Sequence, residues 1–326
     1  MKIRNIQRLM LAAIGITLFA ACKKESPNIF NMFDAVTVTY NNSSPQAVTD
    51  YKLVNDGEDV IIDYTIASTG EDMYTVVLEK KAGATGGTPD RSTTVVLNDS
   101  QRRSYSGKVT LKMQRDGKNT YRVYALNKAG YFIGDGYKEV VVEVNPSYTF
   151  LTNRILYLPD TATRVRNAFL SLSDGTTYNY TNGAANSAKI DLGVWRRPNP
   201  STNPSEVTSQ PYLYGFYSIS TPTNPFPLYD VSSWQKRATK FAAPQNSQST
   251  VFNINATSSS VIEGLAKARN PSLTLFTPTG NSNNLVGDCS ISFLTPEGKY
   301  GILYIVSITN DLEGRPFMRV HIKIQK

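Results

Sequence analysis

The chain is poor in the side chains that most chemistry requires. It has two cysteines and one histidine in 326 residues. A thiolate or imidazole metal site needs three or four such ligands, so none is expected. A serine triad would have to use His321. No glycine-rich phosphate loop, nucleophile elbow or zinc-protease motif occurs, and no catalytic residue or cofactor is expected. Charged residues make up only 18%. Arg102-Arg103, Arg196-Arg197 and Lys236-Arg237 are short and scattered. A basic tract of the kind nucleic acid binding favours is missing, and the three pairs read as solvated faces.

No apolar run reaches the ~20 residues that span a bilayer. The run that is present is informative. Lys2, Arg4 and Arg8 precede an uninterrupted stretch of apolar and small residues from Leu9 to Ala21. A positive start, a short apolar run and small residues at its end read as a secretory signal over residues 1–21. The run ends Phe19-Ala20-Ala21-Cys22, which resembles a lipobox. The resemblance implies cleavage before Cys22 and acylation of that cysteine, hence a membrane as partner. An ordinary signal peptide cut near Ala21 is the alternative. Once Lys2, Arg4 and Arg8 are removed, 31 basic residues face 26 acidic ones. Residues 22–34 read as attachment site and tether. Lys23-Lys24-Glu25-Ser26-Pro27-Asn28 resembles the charged tags of surface lipoproteins in Bacteroidota. That implies an outer-membrane lipoprotein, with surface-exposed and periplasm-facing placement both open.

With Cys22 lipidated, Cys289 is left without a disulfide partner. It alternates with Ile291 and Phe293 on one strand face, as a small buried hydrophobe does.

From 35 to 145 the period is two. Val60, Ile62, Tyr64 and Ile66 alternate with Ile61, Asp63 and Thr65; Val109, Leu111 and Met113 with lysines and Thr110; Val140, Val142 and Val144 with Glu139, Val141 and Glu143. Successive strand side chains point to opposite faces. About seven such runs, separated by turns such as Asn55-Asp56-Gly57, Gly86-Gly87 and Asp116-Gly117, predict a β-sandwich. The acids in these turns (Asp56, Glu58, Asp59 and Asp135) form no complete calcium loop. The segment Tyr121-Arg122-Val123-Tyr124-Ala125-Leu126-Asn127-Lys128-Ala129-Gly130 resembles the penultimate strand of fibronectin type III and other immunoglobulin-like domains. The resemblance implies that fold, a tyrosine hydrogen-bonded to backbone, and use as a spacer or interaction module.

Residues 146–326 predict a second, β-rich domain with one or two short helices. Thr181–Ala188 reads as helical. Asp230 is expected to cap a helix through Phe241, and Ser260-Val261-Ile262-Glu263 to open another as a capping box. Tyr300 to Ile308 is apolar on both faces, as a central strand is. In the last strand Met318, Val320, Ile322 and Ile324 face one way. Arg319, His321 and Lys323 face the other, expected to be wet. Ser173-Asp174-Gly175-Thr176-Thr177-Tyr178, Lys189-Ile190-Asp191-Leu192 and the ending from Gly298 to Lys326 resemble C-terminal regions of Bacteroidota lipoproteins that often accompany polysaccharide uptake systems.

The candidate site is aromatic. Trp195, Tyr212, Tyr214, Phe216, Tyr217, Phe226, Tyr229 and Trp234 lie within 40 residues. Sugars stack on such rings, and protein interfaces use them too. Tyr212, Tyr214 and Phe216 share a strand face and are expected to pack inward. That leaves Trp195, Tyr217, Tyr229 and Trp234 as candidate ligand-binding residues. Carboxylate-pair chemistry would draw on Asp191, Asp230, Asp288, Asp311 and Glu313, none of them in a recognisable motif. The expectation is a lipid-anchored, non-catalytic protein that binds a glycan, another surface ligand or an outer-membrane protein. The alternative is a structural or adhesive surface component; two β domains after a lipobox also resemble fimbrillins.

Overall fold

A computed structural model of the chain describes residues 35–82, 89–136, 138–279 and 284–326. The signal and tether, Cys22 and the Gly86-Gly87 turn lie outside them. The protein is mainly β. It divides into two compact units. Unit 1 holds the described residues of Met1–Lys52 with Val60–Leu111 and Asn119–Val142; unit 2 holds Leu53–Asp59, Lys112–Lys118 and Glu143–Lys326. The main break, Val142/Glu143, falls three residues before the expected one.

Unit 1 is built on two sheets. The first has the order β1 (Val36–Tyr40), β3 (Asp59–Ser68), β6 (Ser104–Lys112). The second has the order β2 (Tyr51–Val54), β9 (Glu139–Val144), β7 (Gly117–Leu126), β4 (Thr75–Ala82), β5 (Asp90–Val96), with β8 (Phe132–Gly134) against β7. Alternation does what the sequence pattern requires: Val60, Ile62, Tyr64 and Ile66 of β3 and Val140, Val142 and Val144 of β9 are buried. Edge strand β6 is only half-buried on its apolar face, and the Tyr64 hydroxyl end lies over Gly107, where a β-carbon would stand 2.5 Å away. Tyr121 is buried. A hydroxyl-to-backbone bond between the sheets comes from Tyr40 of β1, which accepts from the Val123 amide at 3.2 Å and donates to the Lys138 carbonyl at 3.3 Å.

Unit 2 stacks four layers. One inner sheet runs β10 (Tyr148–Tyr157), β19 (Pro316–Gln325), β18 (Tyr300–Asn310), β17 (Cys289–Leu294), β15 (Lys240–Phe241), with β16 (Gln245–Asn246) also on β17. The other runs β12 (Thr177–Tyr178), β11 (Phe169–Leu170), β13 (Leu192–Pro198), β14 (Tyr212–Ser218). The main core lies between them, with Leu192, Val194 and Phe216 from the smaller sheet against Ile291, Leu303, Val320 and Ile322 from the larger. Strand β18 is central, between β17 and β19. Cys289 is buried in this core.

Each inner sheet also has its outer face covered. The larger sheet is covered by a π-helical turn, Val251–Asn255, and by α3 (Ser259–Lys267), which bury Phe252, Ala256 and Ile262 against Ile302 and Tyr304. The face expected to be wet is exposed at Arg319, half-buried at His321 and interior at Lys323. Lys323 is 4% exposed. Its ammonium donates to the carbonyls of Phe252 at 2.7 Å and Ala256 at 2.8 Å, and sits over the rings of Tyr148, Phe150 and Phe252. His321 is half-buried, and its Nδ1 accepts from the Asn153 amide at 2.9 Å, in the bulge of β10. Ser258 rather than Ser260 caps α3, accepting from the Val261 amide.

The smaller sheet is covered by α1 (Tyr180–Gly183), the 3-10 turn Ala184–Lys189 and the segment 220–239. The helix expected over Asp230–Phe241 does not form. The Asp230 carboxylate takes the Ser232 amide at 2.9 Å and the Trp234 amide bonds the Val231 carbonyl, so the chain turns instead. A carboxylate that can cap a helix can equally close such a turn. A third short helix, α2 (Pro204–Ser209), lies in the polar loop before β14.

Candidate functional site

The four candidate rings come together, but facing inward. Trp195, Tyr217, Tyr229 and Trp234 are 7%, 0%, 1% and 5% exposed. They form the core between the smaller sheet and its covering layer, with Phe169, Ile219 and Phe226. The expectation of a stacking surface on these rings is corrected: no ring face is free for a ligand. Glycines explain the burial. A β-carbon on Gly215 would stand 2.5 Å from Trp195 Nε1, and one on Gly193 2.5 Å from the Tyr217 ring. One on Gly183 would stand 2.3 Å from the Trp234 ring. Each ring occupies the space that a missing side chain leaves.

Polar ends are mostly satisfied. Trp195 donates to the Phe276 carbonyl at 3.2 Å and Tyr229 to the Asp160 carbonyl at 2.8 Å. The Tyr217 hydroxyl is buried without a partner, and burial pushes its pKa up. Burial also pushes the Asp160 carboxyl up, but bonds from Thr163, Arg166, Tyr229 and Arg164 outweigh it and hold it low. This carboxylate organises the 160–166 loop.

The acids considered for catalysis are tied to partners. Asp191 is fully buried and accepts from Arg237 Nε at 2.8 Å, Thr239 Oγ1 at 2.6 Å and the Leu172 amide at 2.7 Å. Arg237 also pairs with Glu297 at 2.8 Å, which draws that carboxyl down to about 2. Asp288 accepts from Tyr304, and Asp311 and Glu313 from Arg315. Every described carboxyl with a shifted pKa is shifted down. Among the described residues no cluster of His, Cys, Asp or Glu suits a metal ion.

A concave surface of unit 2 lies where the two inner sheets part. A groove of about 510 Å³ opens there, within the 300–1,000 Å³ of small-molecule sites. Its floor is Tyr214 from β14, Ile308 from β18, and Leu285 and Val286 from the segment before β17. Tyr214, Val286 and Ile308 are the half-buried margin of the main core. The rim is Gln210, Thr309 and Asn310, from the loop before β14 and the end of β18. Burial pushes the Tyr214 phenol up, so it is a neutral hydroxyl at neutral pH. Beside it Asn284, 1% exposed, accepts the Tyr214 amide at 2.7 Å, and its own side-chain NH2 has no partner among the described residues. Among the described residues, none of the lining side chains carries a charge. A charged ligand would find no counter-charge on leaving water, whereas hydroxyls and amides would find donors and acceptors.

Sequence reasoning placed Tyr214 inward but did not single out Gln210, Asn284 or Asn310. The polar loop ending at Gln210 and the turn beginning at Asn310 are visible in the sequence. Nothing in their spacing, about 100 residues apart, says that they meet.

No protein-family model matches the chain, and no curated protein matches it. Among solved structures, it is similar to a chitin binding domain from Burkholderia pseudomallei at 8% identity, covering 29% of this chain and 57% of that one, with a TM-score of 0.22. It is similar to the sialic acid binding region of a Streptococcus sanguinis adhesin at 13% identity, covering 88% and 76%, with a TM-score of 0.22. A beta-glucosidase from Listeria innocua is similar at 14% identity, covering 34% and 16%, with a TM-score of 0.22. The chain spans 57%, 30% and 16% of the first three structures it matches.

Proposed function

We propose that the protein is an exported, lipid-anchored, non-catalytic binding protein. Its ligand is uncharged and rich in hydroxyl groups, a glycan or another surface ligand, and unit 1 serves as a spacer. The observation that carries the binding reading is the groove of unit 2: an apolar floor, a neutral polar rim and no charged lining residue. The Phe19-Ala20-Ala21-Cys22 sequence supports anchoring at an outer membrane, on either of its faces. The partnered carboxylates support binding over hydrolysis, because a glycosidase acid needs a raised pKa.

Two experiments test the two halves. Growth with a labelled fatty acid labels the parent and leaves it in the membrane fraction, while Cys22→Ser is unlabelled and soluble. An unlabelled parent removes the anchor. A glycan array probed with residues 23–326 reports on binding. Retention of a neutral glycan supports the reading. Silence across host and plant polysaccharides favours a structural or adhesive component, such as a fimbria-like or outer-membrane assembly subunit.

A further inference from the structure

The end of unit 1 where the chain enters β1 differs from the rest of its surface. Ala35 and Val36 border a cavity of about 470 Å³ whose far wall is Tyr131, Phe132 and Ile133. Tyr131 is 72% exposed and Phe132 42%. The Phe132 ring is held on one side by Tyr124, at 5.6 Å between centroids, and by the Arg122 guanidinium at 5.8 Å. Val96, which ends β5 and is 80% exposed, lies at the same end, because Thr75 pairs with both Val96 and Leu126. The charges there nearly cancel: Arg102 pairs with Asp99 at 2.5 Å and Arg103 with Asp72 at 2.7 Å, and Glu71, which accepts from the Asn127 amide at 3.0 Å, is offset by the exposed Lys128 of the same turn. Exposed apolar groups are thus gathered at one end with almost no net charge.

We propose that this end of unit 1 rests on the lipid surface, with Tyr131 and Phe132 in the headgroup layer. The inference relies on Cys22 being the point of attachment. Ala35 is thirteen residues after Cys22, a reach of at most about 45 Å when fully extended. The anchor therefore confines this end of the unit, by covalent connection alone, close to the bilayer. Aromatic rings are favoured at the headgroup level. With the local charges paired, the attraction is apolar, and anionic lipid adds little to it.

The test attaches the mature chain, residues 22–326, through Cys22 to phosphatidylcholine vesicles that carry a maleimide lipid. Cys289 does not compete, being buried with its thiol pushed up to about 11. Attachment is then independent of acylation in cells, so failure of the natural anchor and failure of this contact are read separately. Tyr131→Trp reports on the proposed contact. Asp90→Trp, at the opposite end of β5, is the control. Trp195 and Trp234 are common to all variants and subtract. Brominated phospholipid chains should quench the Tyr131→Trp signal about twofold and leave Asp90→Trp unchanged, with no dependence on added phosphatidylglycerol. Two results overturn the proposal. One is quenching only with anionic lipid. The other is a Tyr131→Trp signal that lipid does not quench; shielding from aqueous iodide without vesicles would then mean that residues before Ala35 or a second copy cover this end.

Discussion

Trp234 lies against Gly183, so closely that a β-carbon there would stand 2.3 Å from its ring. Gly183 has φ −65 and ψ −36, which any residue adopts. Alanine would ordinarily be favoured over glycine in such a conformation by up to about 1 kcal/mol. Here the ring reverses the sign. Gly183→Ala should destabilise the protein by about 1–3 kcal/mol in urea unfolding, as overpacking does. Gly264, in the middle of α3 with nothing within 4 Å of an added β-carbon, is the control. Gly264→Ala should stabilise by about 0.5–1 kcal/mol. Stabilisation by both would show that Trp234 is not seated on Gly183.

The buried tryptophans are structural. Trp234→Ala should cost about 3–5 kcal/mol, and any loss of ligand binding should follow the loss of fold. Both tryptophans should emit at short wavelength in the native protein and shift to the red on unfolding. A well-folded Trp234→Ala protein with selectively lost binding would restore the rings as a site.

Asp191 holds Arg237 and Thr239 together inside unit 2. Removing one member of a buried ion pair costs about 3 kcal/mol, although Glu297 remains to Arg237. Asp191→Asn should therefore lower the unfolding midpoint clearly in a thermal melt. An unchanged midpoint would contradict a structural role for this pair.

Lys323 gives the stability a pH signature. Burial, with Arg115 as a nearby like charge, draws its ammonium down from 10.5 to about 8. Below pH 8 the group is charged in both states and the cost of burying it is fully felt. Between 8 and 10.5 the unfolded chain binds the proton and the folded one does not, so stability rises with pH. Tyr64 and Tyr121, pushed by burial up to about 12, favour the folded state while protonated and begin to subtract stability once unfolded tyrosine ionises near pH 10. The Cys289 thiol, pushed by burial up to about 11, subtracts in the same way once the unfolded thiol ionises near pH 9, so the clean window is pH 8 to 9. There the parent should gain about 1 kcal/mol or more relative to Lys323→Met. Parallel pH profiles of parent and variant would contradict the assignment.

The sandwich of unit 1 and the central place of β18 were legible in the sequence, because burial on one face or on both writes itself into a period of two. What covers a face does not. Lys323 and His321 stand on a face of β19 whose cover, Val251–Lys267, lies more than fifty residues upstream. Alternation alone made that face look wet. The Asp230 turn was misread because capping and turn closure use the same carboxylate. The aromatic cluster was recognised as a cluster, but not as core. The glycines that accept its rings sit on other strands and turns, and their pairing exists only in three dimensions. The groove was missed for the same reason.

The central claim is that ligand is taken in the groove of unit 2 and not by the buried rings. It is tested by probing a glycan array with the parent and with the double variant Gln210→Ala/Asn310→Ala, whose side chains lie at the rim. The account predicts a neutral glycan bound by the parent, at least about tenfold weaker binding by the variant, and an unchanged unfolding midpoint, since rim substitutions move stability by about 0.5 kcal/mol or less. Undiminished binding by a folded double variant would contradict it.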